Sequence, residues 1–422
     1  MSAAAVSMHL LPPIFVLAVV LGTGLRLWLG LRQIRSVRRH RTEVPAAFSG
    51  QVSLQEHQRA ADYTLARTRL GALEVLVDAA VLLGLTIGGG VGYLDEAWHR
   101  TGLGELWQGV AVILSVLAVM AAAGLPFSLY STFRIEARFG FNRASLGLFV
   151  TDRLKGLLIG LLLGVPLIAA ALTLMVHGGS LWWLYAWIGW VGFSLLLAWA
   201  WPVLIAPLFN RFSPLADASL RQRIESLLGR CGFTSRGVFV VDGSRRSAHG
   251  NAYFTGFGRN KRIVFFDTLL ERLGGAEVEA VLAHELGHFR LRHVRQRLVL
   301  ATIQALLGLL LLAYLARLPA FPAAFGVAPS AHATLLLLLL IAPAFTFFLA
   351  PLAAWWSRQH EFAADRFAAE HASASELAGA LTKLYRDNAT TLTPDRISSA
   401  FYDSHPPALV RIAHLQRLAA RT

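Results

Sequence analysis

Leu282-Ala283-His284-Glu285-Leu286-Gly287-His288-Phe289-Arg290-Leu291-Arg292 stands immediately before an apolar run at 298–318. It contains His-Glu-x-x-His, and on a helix two histidines four residues apart lie one above the other on one face. Imidazoles so placed can hold one Zn²⁺ per chain from a single turn. Glu285, beside the first histidine, is placed to take a proton from water that zinc acidifies to a pKa of about 7. The chemistry implied is hydrolysis of a peptide bond. The plain alternative is a surface helix that merely carries two histidines. Against it, residues 277–283 read Glu-Val-Glu-Ala-Val-Leu-Ala, helix formers with an apolar side. A helix from about 276 is expected to carry the motif directly into the following apolar run, which places a metal centre at a membrane face.

Composition agrees with a membrane setting. Of 422 residues 55% are hydrophobic and only 15% charged, against about 25% charged in soluble domains. Seven apolar runs, at about 10–31, 70–94, 106–130, 154–176, 181–205, 298–318 and 333–355, each approach the ~20 residues that cross a bilayer. The first carries Pro12 and Pro13 with no small-residue cleavage site after it, so it reads as a retained anchor.

The net charge of +14 would suggest nucleic acid in a soluble chain, but topology accounts for it here. With the N-terminus outside, 36 of the 39 Lys and Arg fall in inside segments, and only Arg100 and Arg317 fall outside. This bias predicts an N-out, C-in integral membrane protein and no nucleic-acid partner. Arg32, Arg35, Arg38, Arg39 and Arg41 read as an inner-leaflet anchor. The bilayer is the first expected partner. Thirty-six Arg against three Lys hint at a GC-rich bacterial genome, hence a bacterial inner membrane, or the endoplasmic reticulum if the source is eukaryotic. A single cysteine, Cys231, excludes an internal disulfide.

The chain divides into 1–205 with five spans, a polar insert at 206–297, spans six and seven at 298–356, and a C-terminal part at 357–422. Within the insert a helix is expected over 218–230, ended by Gly232, then strands at 237–242, 252–257 and 262–267 with turns at 244–249 and 258–261. The outside segment 319–332 reads as a connector. Arg26, Glu74 and Asp78 sit in or beside spans, where charge is costly. They are expected either to link two spans or to line an internal chamber.

A hydrolytic zinc site takes three protein ligands plus water. Leu291 and Val294 stand where a metzincin would need Gly and His, so that ligand set fails. His293, five positions beyond His288, points off the ligand face of a continuous helix. Glu361 and Asp365, four apart after the last span, share a helix face. Glu361 could close a His₂Glu site and Asp365 could orient a ligand histidine. By spacing alone a solvated acidic face is an equal reading.

Several motifs, in order along the chain, bear on that choice: Leu31-Arg32-Gln33; Ile135-Glu136-Ala137-Arg138-Phe139-Gly140-Phe141-Asn142 with Asp152 and Lys155; and Pro207-Leu208-Phe209-Asn210. They continue through Asn251-Ala252-Tyr253-Phe254-Thr255-Gly256, His-Glu-Leu-Gly-His, residues 357–368 and Ser404-His405-Pro406-Pro407. Together these resemble the type I CAAX prenyl proteases, integral-membrane zinc metalloproteases of the gluzincin type that remove the aaX tripeptide from prenylated C-a-a-X proteins. The resemblance implies a mainly α membrane fold, with seven transmembrane helices around a chamber and a small α+β zincin-like domain on the cytoplasmic side. It implies Glu361 as the third ligand and a peptide or protein substrate, prenylated in the family.

It also suggests that the backbone of Asn251 and Ala252 pairs with substrate, as an edge strand does in related metalloproteases. His405 would supply an oxyanion donor, with Arg411 as a further positive group. Without the resemblance His405 is a loop histidine beside a proline turn. His249 and His360 read as local structure. A bacterium ordinarily lacks prenylation, so an HtpX-like quality-control protease of membrane proteins is a second reading. A transporter with a regulatory zinc is a third. Oligomeric state leaves no trace in the sequence.

Overall fold

The computed structural model describes residues 8–233, 237–255 and 262–420. It is mainly helical, with membrane-crossing helices and one small sheet. Six helices are long and apolar enough to span a bilayer, and a seventh span is made by a bent pair. The crossings are α1 (Leu11–Arg39), the pair α2 (Leu54–Leu85) and α3 (Gly90–His99), α4 (Glu105–Tyr130), α5 (Leu146–His177), α6 (Trp182–Ala200), α9 (His293–Leu315) and α10 (Ala331–Thr346). Between α6 and α9 lie α7 (Ala218–Arg230), four strands and α8 (Gly275–Arg290). After α10 come α11 (Ala350–His371), α12 (Ala374–Asp387), α13 (Arg396–Tyr402) and α14 (Ala408–Ala419).

The expected second span is broken. Three glycines in a row, 88–90, let the chain turn by 50° between α2 and α3, with Gly89 at φ +78. That conformation suits a residue without Cβ.

The crossings close a ring. Each of α1, α2, α4, α5, α6, α9 and α10 packs on the next, and α10 returns to α1. The ring encloses a chamber. In the half of α5 nearer the polar domain, six successive residues from Arg153 to Leu158 are all exposed. Six residues at 100° each cover every side of a helix, so no side of this stretch rests on a solid core.

The end of the ring away from the polar domain is shut. Phe15 and Val19 of α1, Val110 and Val116 of α4, and Leu336 and Leu337 of α10 pack around Phe321, Phe325 and Val327. The segment 319–332 is therefore a buried plug rather than a plain connector. Beside it, Asp95 Oδ1 accepts from Gln108 Nε2 at 2.8 Å and pairs with His332 Nε2 at 2.9 Å.

The opposite end carries the polar domain. Its sheet has the order β1-β2-β4-β3, from β1 (Phe212–Pro214), β2 (Val238–Val241), β3 (Ala252–Thr255) and β4 (Arg262–Phe266). β2 and β4 run parallel, and the two outer pairs are antiparallel. β1 is a strand that its proline-punctuated sequence did not announce. The sequence reading extends the third strand to 257 and places a turn at 258–261, and residues 256–261 lie outside the described residues. Helix α7 occupies the expected residues, and Gly232 follows it at φ +67. The core of this domain joins Ile224 and Leu227 of α7, Phe265 of β4, Leu282 and Leu286 of α8, and Leu377 and Leu415 from the C-terminal helices.

Motifs scattered along the chain meet where this domain joins the ring. Arg246 grips Asp152 of α5 through both carboxylate oxygens, at 2.8 and 3.0 Å, and donates to Asn210 Oδ1 at 2.9 Å. Glu136 accepts from the Tyr63 hydroxyl at 2.6 Å and lies 3.4 Å from His249 Nε2. His249 stacks on Phe141 and leads, two residues on, to Asn251 and β3. The strand nearest the metal motif is thus held by membrane helices.

Candidate active site

Helix α8 begins at Gly274, whose N–H donates to the Glu277 carboxylate at 2.8 Å; Lys383 of α12 pairs with the same carboxylate at 2.7 Å. Across from α8 lies α11. It continues the last crossing after a single tight turn, so 331–371 runs as one interrupted helix of 41 residues. The two helices approach closely because small residues face each other. Ala283, Ala364 and Ala368 are fully buried, and a Cβ on Gly287 would stand 3.1 Å from Ala364 Cα.

That approach assembles three ligand atoms. His284 Nε2 is 3.2 Å from His288 Nε2. Glu361 Oε2 lies 3.4 Å from His284 Nε2, and Oε1 lies 3.4 Å from His288 Nε2. With zinc–ligand bonds of 2.0–2.1 Å, a tetrahedral site spaces its ligand atoms about 3.4 Å apart. The donor set fits one such ion. Among the described residues these are the only three that could hold a metal together. Glu361 is 2% exposed, and its Oε2 has no hydrogen-bond donor of good geometry. His405 Nδ1 is 2.7 Å from that oxygen but off the line a hydrogen bond needs. An orphaned buried carboxylate oxygen suits a cation.

Behind the ligands lies a fixed shell. His284 Nδ1 is 2.8 Å from Asp365 Oδ1, so Nδ1–H is assigned as the donor and Nε2 keeps its lone pair for metal. Arg411 donates to Asp365 Oδ2 from Nε at 2.9 Å and to Oδ1 from Nη2 at 2.7 Å. Burial and the Arg411 charge push the His284 imidazole down, but Asp365 and Glu361 outweigh them and leave it raised. Burial likewise opposes the Arg411 charge, and Asp365 holds its pKa above the ordinary guanidinium value.

Arg411 is therefore misplaced by the sequence reading. It is 5% exposed and held by Asp365 behind the ligands, so it is no substrate-contacting group. His405 does stand at the cavity, its side chain 65% exposed. Glu285 lines the same cavity of about 460 Å³ and forms no ion pair or hydrogen bond among the described residues.

β3 lies at the sheet edge, as a substrate-pairing strand must. The two expected residues differ, however. Asn251 O accepts from Phe266 N at 3.0 Å, so its carbonyl is spent within the sheet. By the antiparallel alternation, Ala252 then turns its own N–H and C=O away from β4. Its N–H meets Asn251 Oδ1 at 2.9 Å. The Ala252 backbone is therefore turned away from β4, while the Asn251 carbonyl is used within the sheet.

His293 is the residue the sequence reading undervalued. Helix α8 does not run on into the crossing. It stops at Arg290, and Arg292 takes φ +60 before α9 begins at His293. The break folds His293 back, placing its Nδ1 3.0 Å from His288 Nδ1. His360, beside the ligand Glu361, stacks on His293 at 3.9 Å. Neither is a ligand, but both touch the ligand shell.

The charges near the spans form no salt link. Arg26 lies over the Phe347 ring at 4.2 Å, and Arg26 and Asp78 both line a cavity of about 330 Å³ between α1, α2, α4 and α10. Among the described residues Arg26, Glu74 and Asp78 make no ion pair. Of the basic cluster at the C-terminal end of α1, Arg32 pairs with Asp395, and Arg41, just beyond the helix, pairs with Asp62.

Residues 33–211 match the family model "CAAX prenyl protease N-terminal, five membrane helices", and 214–419 match "Peptidase family M48". The chain is 34% identical to the CAAX prenyl protease 1 homolog of Arabidopsis thaliana over 409 residues, covering 91% of this chain and 92% of that one. It is 34% identical to the human homolog over 381 residues, covering 78% and 79%. The crystal structure of S. mikatae Ste24p superposes with a TM-score of 0.88 at 26% identity, covering 97% of this chain and 99% of that one. The chain belongs to peptidase family M48, among the CAAX prenyl protease 1 homologs, and is an integral-membrane metalloprotease acting on peptide or protein substrates.

Proposed function

We propose that the metal is zinc, held by His284, His288 and Glu361, and that the protein cuts a peptide bond near the C-terminus of membrane-held proteins, prenylated C-a-a-X proteins among them. The observation that carries this is the convergence of His284 Nε2, His288 Nε2 and the buried Glu361 carboxylate: the two nitrogens are 3.2 Å apart and each lies 3.4 Å from one of its oxygens, close to the edge of a zinc tetrahedron. Bound there, zinc supplies a Lewis acid that polarises the scissile carbonyl and brings a water to a pKa of about 7.

The chain's own residues do the rest. Glu285, unpaired and facing the cavity, takes the proton from the attacking water and returns it to the leaving amine. Ala252 pairs with the extended substrate, and the Asn251 side chain gives up its bond to Ala252 N–H to join it. His405 donates toward the oxygen that gains charge. Asp365 keeps His284 in the tautomer that binds metal. The positive-inside bias supports an orientation with the N-terminus outside and this site at the inner face. Bacterial inner membrane remains the proposed location, with the endoplasmic reticulum as the eukaryotic equivalent.

The test is metal analysis of purified protein together with cleavage of a fluorescent farnesylated C-a-a-X peptide and its unprenylated twin. One zinc per chain, with at least tenfold faster cleavage of the farnesylated peptide, supports the proposal. Equal cleavage of both would leave a general membrane protease without prenyl preference.

A further inference from the structure

A cation lines the catalytic cavity without an ion pair among the described residues. Arg297 lines that cavity together with Glu285, His288, Glu361 and His405. It is the only Lys or Arg among the cavity's described lining residues. The other arginines near the metal site are spent: Arg411 is locked onto Asp365, and Arg358 Nη1 donates to the Asp403 carbonyl at 2.7 Å. Arg297 forms no ion pair among the described residues. Its polar contact is Nη2 to Ser357 Oγ, at 3.2 Å.

The position of this pair is informative. Arg297 is four residues beyond His293 on α9, and Ser357 is four residues before Glu361 on α11. Helix α9 runs away from the metal into its crossing, and α11 arrives at the metal from one. Both steps therefore lead toward the chamber, by about 6 Å along each helix axis. Arg297 and Ser357 bridge the two helices one turn on the membrane side of the ligands. An extended peptide advances about 3.3 Å per residue. A chain lying across the metal therefore brings to Arg297 the group two or three residues beyond the cut bond.

We infer that Arg297, with the Ser357 hydroxyl, binds the substrate's free C-terminal α-carboxylate and so measures a short C-terminal fragment. A guanidinium fork fits a carboxylate through two parallel hydrogen bonds, and it is stronger at the mouth of a membrane chamber than in bulk water. An arginine that lines a peptide cavity and has no ion pair among the described residues suits an anion, and every peptide chain ends in one. The inference rests on the protease reading above and sharpens it.

The test uses full-length protein in detergent and one fluorescent peptide made as the free acid and as the C-terminal amide. The free acid should be cleaved with at least tenfold higher kcat/KM. In Arg297→Gln the ratio should fall to near one, chiefly through slower cleavage of the acid. Arg297→Lys should restore part of the preference. A binding readout independent of turnover is the affinity of acid and amide peptides for Glu285→Gln protein, with and without Arg297→Gln. Equal handling of acid and amide by the unmodified enzyme, or an undiminished preference in Arg297→Gln, overturns the inference and leaves the protease standing. If zinc-loaded protein cleaves neither this peptide nor a longer one, the protease reading falls and the inference with it.

Discussion

Nδ1 of His293 stands 3.0 Å from Nδ1 of His288, across the break between two helices. When His288 binds metal through Nε2, its Nδ1 carries a proton, and His293 accepts it. Such a partner fixes the ring's tautomer and its aim, and losing one typically costs 10–100-fold in metal affinity. His293→Ala should therefore weaken zinc binding by about that factor, read by competition with a chelator of known affinity. Unchanged affinity would show that His293 only packs against His360.

Glu285 has a position beside a ligand and no partner to occupy it. Glu285→Gln keeps the shape and removes the base. Zinc content and peptide binding should persist while cleavage falls about 10²–10⁴-fold. A loss of zinc in parallel with activity would mean that Glu285 supports the site rather than the proton transfer.

The part of the site confined to one helix turn is legible in sequence, because periodicity alone places His284, Glu285 and His288 together. Glu361 is less so. Its spacing with Asp365 defines a face, but what that face meets depends on a crossing of α8 and α11 that no local pattern encodes. His293 was hidden for a more specific reason. Its reading assumed a continuous helix, whereas Arg292 adopts a left-handed conformation with no glycine to announce it. The same limit applies to Arg411. Its sequence neighbourhood says positive and near His405, and only the packing of α14 on α11 shows that the charge points at Asp365. The membrane crossings were legible by length and composition, apart from the glycine break after α2. The 319–332 plug was not, since the three large residues that bury it are separated by proline, alanine and glycine.

Asp365 is fully buried, and its charge is met by Arg411 and His284. Arg411→Met removes one partner and leaves an uncompensated carboxylate. Breaking a buried pair this way costs about 3–5 kcal/mol. Arg411→Met should unfold at clearly lower temperature in detergent and lose zinc on dialysis. Arg411→Lys should recover part of this, because a point charge replaces the attraction but not the two-pronged grip. An unaltered melting temperature in Arg411→Met would mean that His284 alone satisfies Asp365.

Gly287 lies in the metal motif but touches no ligand, and its role is the spacing between α8 and α11. An added Cβ would meet Ala364 Cα at 3.1 Å and Phe367 Cβ at 3.1 Å, both closer than ordinary contact. Backbone cannot swing aside as a side chain can, so α11 must retreat by a few tenths of an ångström. That retreat withdraws Glu361 from His284 and His288, whose spacing already matches a tetrahedral edge. Gly287→Ala should therefore weaken zinc binding more than it lowers thermal stability, although alanine favours helix over glycine by up to about 1 kcal/mol. Gly287→Ala paired with Ala364→Gly restores the lost space and should return affinity toward the original value. If the single variant binds zinc normally, the close crossing of these helices is not what positions the third ligand.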